Sequence, residues 1–367
     1  MPYHGPPALT LTGSLTQWTL DPWVLAFVVL LGGGYLAVMR RVRRQGSGAG
    51  WSVARPIWFL GLGLGPLVLA TMSWVGVYQS TLFYARATQT VLLVLVVPLF
   101  LALGRPITLV IAAFPGPGRR LEAVIRSRVA TVLMFPAITT FALVVVPFVM
   151  FYSPWYTAAF HSTAIRELTY LTLMVPGFAF FWTLLRVDPV PKSYSYAVSM
   201  WITGAEVIGD AILGLSIIAD NGVIGAAWYH ALARPWGPTL RTDQVIGGGV
   251  LWVLGDVVGL PFLAAQLIQM MREDEHEAAR IDAELDARDA RPPVHPAAPL
   301  GTATPPSDRD VAVAAATIAP PTAAPPTTAP PTAAPATTAT ATAEPSPAQP
   351  WWESDARFTD RFKSANP

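Results

Sequence analysis

Two carboxylic acids four residues apart, Glu206 and Asp210, sit inside the apolar run SYAVSMWITGAEVIGDAILGLSII. On a helix that spacing puts both on one face. A charged side chain at the centre of a bilayer costs on the order of 2.5–3.5 kcal/mol on insertion scales, so such a pair marks an ion pathway, a proton relay or a paired site. Asp256, in WVLGDVVG, joins them if the two helices that carry these runs pack together. No basic residue is expected deep in any apolar run, which favours protonated carboxyls or a bound cation over a salt bridge. Hydrogen bonding between helices, with the acids protonated, explains the same residues without any transport chemistry.

Other chemistries are excluded more simply. The chain has no cysteine, which removes disulfides, thiolate metal sites and cysteine nucleophiles. It also lacks the H-E-x-x-H and G-x-S-x-G patterns, so it is not expected to be an enzyme. With a net charge of +1 there is no electrostatic case for nucleic acid as a partner.

The elements that must position these acids are long and apolar. Of the 367 residues 53% are hydrophobic and 13% charged, against roughly a quarter charged in an ordinary soluble domain. A membrane span needs about 20 apolar residues, and seven such runs occur, at 23–39, 56–78, 88–112, 129–151, 167–186, 194–219 and 245–270. The expected fold is therefore an all-α, polytopic bundle of seven transmembrane helices. The third run is interrupted at Arg105-Pro106, leaving 106–114 as an interfacial piece. Alternate loops carry twelve Lys and Arg on one side and four on the other. The positive-inside rule then places the N-terminus outside and the C-terminus in the cytoplasm, as in a multi-pass protein of a bacterial plasma membrane.

This divides the chain into an extracytoplasmic segment (1–22), a seven-helix membrane domain (23–271) and a charged cytoplasmic helix (272–291). A disordered Pro/Ala/Thr-rich linker (292–350) follows, then a short amphipathic C-terminal segment (351–367) with Trp351, Phe358 and Phe362 on one stripe. That last segment is expected to dock on a cytoplasmic partner or on membrane lipid. In the turn-rich stretch ARPWGPTLRTDQVIGGG, Asp243 is expected to cap the seventh helix.

Four segments in order, FYSPWY at 151–156, GFAFFWTLLRVDP at 177–189, the acidic sixth run and TDQVIGGGVLWVLGD at 242–256, resemble the CtaG-like family of cytochrome c oxidase assembly proteins. The resemblance rests most on Trp182 with Asp188 and Pro189, and on Asp243, Gln244, Gly247, Gly248 and Trp252. It implies an integral membrane factor that serves maturation of the copper-containing oxidase, with oxidase subunits as partners, either handling copper at the outer face or acting as a scaffold. The family's usual His-x-x-x-His pair at the start of the third helix is replaced here by Arg86 and Thr90, and the histidines near the fifth by Arg166, Tyr170 and Thr172. Copper would then need other ligands, and His161, His230, Met150 and Met174 supply the imidazole and thioether donors that suit Cu(I). The competing reading is an ion-coupled transporter using Glu206, Asp210 and Asp256.

Overall fold

In the computed structural model the described residues are 3, 5–46, 52, 54–192 and 194–289. The 292–350 linker and the 351–367 segment lie outside them, as does His4. Among the described residues the fold is all helical. Six helices are long and apolar enough to cross a membrane, or seven if one bent pair is counted as a single span.

Proline and short polar caps set where the helices begin. Pro22, Pro106, Pro115 and Pro136 each open a helix, because a missing N–H costs nothing at a first position and the fixed φ suits the helix. A short α1 (Leu11–Thr16) leads to α2 (Pro22–Arg44), where Asp21 accepts N–H bonds from Trp23 and Val24 at 3.1 and 3.3 Å. Next comes α3 (Ala54–Tyr78). The central helix α4 (83–103) follows, with Ala85, Arg86, Ala87, Gln89 and Thr90 all buried. Its ladder widens to π over Leu92–Val96 just before Pro98, whose ring has no N–H to give the Val94 carbonyl. Gly177 lies against that carbonyl so closely that a Cβ there would come within 2.1 Å of it.

The chain breaks at Arg105, which takes a left-handed φ of 53°. A following proline crowds the ordinary helical conformation of the residue before it. Two short helices, α5 (Pro106–Ala113) and α6 (Pro115–Ile125), then pack on each other. The fourth span differs from the expected 129–151 run. A one-and-a-half-turn α7 (Arg128–Leu133) stops at Met134 and Phe135, and the long helix α8 (Pro136–Tyr152) starts only at Pro136. After Pro154 the chain re-forms a helix at once, α9 (Trp155–His161), bent 71° from α8.

Ser162 caps α10 (Thr163–Leu185), and Ser195 caps α11 (Tyr196–Ala219). After the short α12 (Ala226–Leu232), α13 runs unbroken from Leu240 to Asp289. It therefore starts five residues before the expected 245 and continues as a charged helix beyond the apolar stretch. The most extensive packing joins α11 to α13, and α13 also lies against the first half of α4.

Candidate functional site

The carboxyls come together on the α11–α13 seam. Glu206 and Asp210 lie one turn apart on α11. Their oxygens face a glycine strip on α13. A Cβ at Gly255 would lie 3.0 Å from an Asp210 oxygen, and one at Gly259 3.5 Å from a Glu206 oxygen. Asp256 follows Gly255 on α13, and its Oδ1 is buried without a hydrogen-bond partner. The polar strip extends along α11, where Thr203 Oγ1 accepts from Gln266 Nε2 at 3.0 Å and Ser199 Oγ accepts from Arg186 at 2.8 Å. No basic side chain pairs with these three acids among the described residues.

A second polar cluster, which the sequence reading missed, surrounds Arg86. The apolar run at 88–112 begins two residues after it, and no basic side chain is expected deep in a span. Arg86 is instead fully buried, 0% exposed, in the first turn of α4, because α4 begins at Phe83 and not at 88. Its guanidinium donates to Gln79 Oε1 at 3.1 Å and Gln89 Oε1 at 2.7 Å, contacts Met150 Sδ at 3.6 Å and lies 5.8 Å from the centre of the Phe160 ring. Tyr170 joins through its hydroxyl, donating to Gln79 Oε1 at 3.0 Å. Among the described residues no carboxylate pairs with Arg86, and its Nε has no partner. Beside the cluster lies a polar cavity of about 280 Å³, lined by Asp21, Thr71, Gln79, Ser80, Phe160 and Arg166. Arg166 is paired there with Asp21 at 2.9 Å. The signal that was available is the Arg86–Gln89 spacing of three, which puts two polar residues on one face of α4; Gln79 lies in the turn before that helix and joins only through the fold.

The motif residues serve as pins between elements. Asp243 does not cap its own helix. It lies inside the first turn of α13, and its carboxylate accepts the Tyr84 N–H at 3.0 Å, capping α4 from outside. The residue at the α4 cap position, Leu82, offers no side-chain acceptor. The other Asp243 oxygen pairs with Arg234 at 3.3 Å, with both side chains almost completely buried. Arg234 also donates to the Pro238 carbonyl at 2.7 Å and lies over Trp236 at 5.1 Å, so the loop before α13 is tied to the end of α4.

Gln244 works the same way. It accepts from Ile224 N at 2.8 Å and donates to the Gly222 and Ile217 carbonyls at 3.0 and 3.2 Å. Gly247 packs on Phe83, and Gly248 packs on the Gly214 carbonyl, 2.8 Å from where its Cβ would be. The Trp252 side chain reaches back over Gly214.

At the opposite end of the bundle Asp188 accepts the Ile107 and Thr108 N–H groups at 3.2 and 2.9 Å and caps α5. Burial raises its pKa above the ordinary carboxylate value, opposed by the bonds from Thr108 and Ile107. Trp182 stacks on Phe178, and Pro189 continues the exit from the bundle.

The four soft donors are dispersed in character. His161 and His230 are exposed, with His161 edge-on to Trp228 at 4.8 Å. Met150 and Met174 are buried. Met174 instead lines an apolar groove of about 570 Å³ with Trp23, Phe27, Glu167 and Tyr170. Among the described residues no cluster of three or more His, Asp or Glu side chains is arranged to hold a metal ion.

Long apolar helices, polar pairs confined to helix seams and caps supplied between helices define a polytopic helical membrane protein. Residues 33–273, nearly all of the helical bundle, match the family described as cytochrome c oxidase caa3 assembly factor (Caa3_CtaG), and the chain belongs to that family. It is similar to the uncharacterized protein Mb0105 of Mycobacterium bovis and to MT0111 of Mycobacterium tuberculosis. Each is 30% identical over 294 residues, covering 78% of this chain and 44% of the relative. ML1998 of Mycobacterium leprae is 27% identical over 293 residues, with the same coverage of 78% and 44%. The chain thus spans less than half the length of the curated relatives it matches. No solved structure matches it.

Proposed function

We propose that this protein is a scaffold for cytochrome c oxidase assembly that holds an oxidase subunit in the membrane without carrying copper itself. The family match supports the assembly role. The observation that carries the copper-free part is Arg86. The Met150 thioether, the best buried soft donor, already faces a guanidinium at 3.6 Å, and a fixed positive charge there opposes a Cu(I) ion. The two imidazoles are exposed on α9 and α12, whereas that sulfur is buried. The four donors therefore do not fit a copper site. On this reading the protein is not an enzyme. It acts by offering oxidase subunits a membrane surface held rigid by the Asp243 and Gln244 pins. The side of the membrane is taken from the charge asymmetry of the loops, with the α12 end outside.

The test is co-isolation. Tagged protein cross-linked in intact cells is expected to bring down an oxidase subunit and to carry far less than one copper per chain after purification. Stoichiometric copper that is lost in Met150→Leu contradicts the copper-free reading, and absence of any oxidase subunit contradicts the scaffold.

One observation favours a second reading, an ion-coupled carrier: the buried Asp256 Oδ1 has no hydrogen-bond partner on the seam that also carries Glu206 and Asp210. Vesicles containing the protein would then show pH-coupled flux that Glu206→Gln abolishes. Equal flux in protein-free vesicles disposes of it.

A further inference from the structure

The apolar face of α2 ends at Met39, and RRVRR follows immediately. In a helix that spans a bilayer this boundary falls where hydrocarbon gives way to headgroups. The fold does more with these arginines than leave them in solvent. Between α5 and α6 the chain turns at Phe114, and Arg41 is fixed against that corner. Its Nε donates to the Ala113 carbonyl at 2.9 Å, and its guanidinium carbon lies 4.5 Å from the centre of the Phe114 ring. Gln45 donates weakly to the same carbonyl at 3.4 Å.

The result is a cleft of about 710 Å³ lined by Ala37, Val38, Arg40, Arg41, Arg44, Gln45 and Phe114. It contains no acidic residue, and among the described residues no carboxylate pairs with Arg40, Arg41 or Arg44. Spacing of four puts Arg40 and Arg44 on one face of α2, continuous with Ala37 and Val38. The cleft thus has a cationic, donor-rich rim and an apolar wall in the order in which a phospholipid presents its phosphate and its acyl chains.

We propose that this cleft binds the headgroup of an anionic phospholipid, with Arg40 and Arg44 on the phosphate, Arg41 held in place by Ala113 and Phe114, and an acyl chain along Ala37, Val38 and the Phe114 ring. Guanidinium forks suit phosphate oxygens, and basic pockets between membrane helices on a basic side are the usual setting for such headgroups. A bound lipid would also join α2 to the α5–α6 corner and so steady the first helix, which touches the rest of the bundle over little of its surface.

The test uses full-length protein, purified and exchanged into detergent with dioleoyl phosphatidylglycerol or dioleoyl phosphatidylcholine as the probe, and bound lipid read by native mass spectrometry. Wild type is expected to retain phosphatidylglycerol in clear preference to phosphatidylcholine. Arg40→Gln with Arg44→Gln should weaken that retention roughly thirtyfold, at about fivefold per arginine near an anionic surface. Arg119→Gln with Arg120→Gln, on α6 but not lining the cleft, should leave it unchanged. Equal retention of the two lipids by wild type overturns the proposal, a result independent of whether any variant folds. Equal loss in the α6 variant reduces the effect to general basicity and also overturns it. Displacement of the lipid by millimolar inorganic phosphate would make the site one for a free anion, contrary to the headgroup assignment.

Discussion

Asp243 gives the sharpest quantitative expectation. Its carboxylate does two jobs in one buried place, pairing with Arg234 at 3.3 Å and capping α4 through the Tyr84 N–H at 3.0 Å. Removing one partner of a buried ion pair strands the other charge and costs about 3–5 kcal/mol. Losing a helix cap adds about 1 kcal/mol. Asp243→Ala should therefore destabilise the bundle by about 4–6 kcal/mol. Asp243→Asn keeps an acceptor for Tyr84 and should show only the ion-pair part.

Arg234 retains the Pro238 carbonyl and the Trp236 ring in both variants, which sets the lower end of the range as the better guide. Adding Arg234→Met removes the stranded charge, so the double variant should be more stable than Asp243→Ala alone. The assay is SDS-titration unfolding of purified protein in mixed micelles, followed by tryptophan fluorescence. A loss below about 1 kcal/mol for Asp243→Ala, or a double variant that simply adds the two single losses, would show that the pair is not buried and coupled as described.

Further expectations follow from the same seams. Gly248→Leu should separate α11 from α13, because a Cβ at 248 already meets the Gly214 carbonyl and Ile218, whereas Gly249→Ala, with nothing within 4 Å, should be silent in the same titration. Burial raises the Asp188 pKa in the fold above its unfolded value, so the folded chain holds that proton more tightly. Its contribution is full below the unfolded value and is lost as pH rises through the raised one. Asp188→Asn should remove that fall, visible as a flatter unfolding midpoint across the interval. Arg86→Leu leaves Gln89 Oε1 without its 2.7 Å donor but also removes a desolvated charge. It should change stability less than Asp243→Ala, while Arg86→Glu should abolish folded protein on size-exclusion chromatography.

Long apolar runs bounded by arginines and turn residues announced the helices, since nothing but lipid accounts for them, and the spacing of Glu206 and Asp210 put both on one helical face. Helix starts were less readable. A hydropathy pattern stops at a charged residue and so excludes Arg86, although α4 begins three residues earlier and buries it completely. The break at Phe135 was hidden for the opposite reason: apolar residues continue through it, and only Pro136 marks the new start. Asp243 has the composition of a cap, and it is one, but for a helix 159 residues away in sequence. Local pattern identifies what a side chain can do. Only packing shows for which partner it does it.

The proposed role in oxidase assembly without metal delivery is read out by the reduced-minus-oxidised absorption spectrum of membranes from a deletion strain. The expected result is loss of the oxidase haem band, no recovery on adding copper to the medium, and full recovery on re-expressing the chain with Met150→Leu. An unchanged oxidase band in the deletion strain, or full recovery with copper alone, would contradict it.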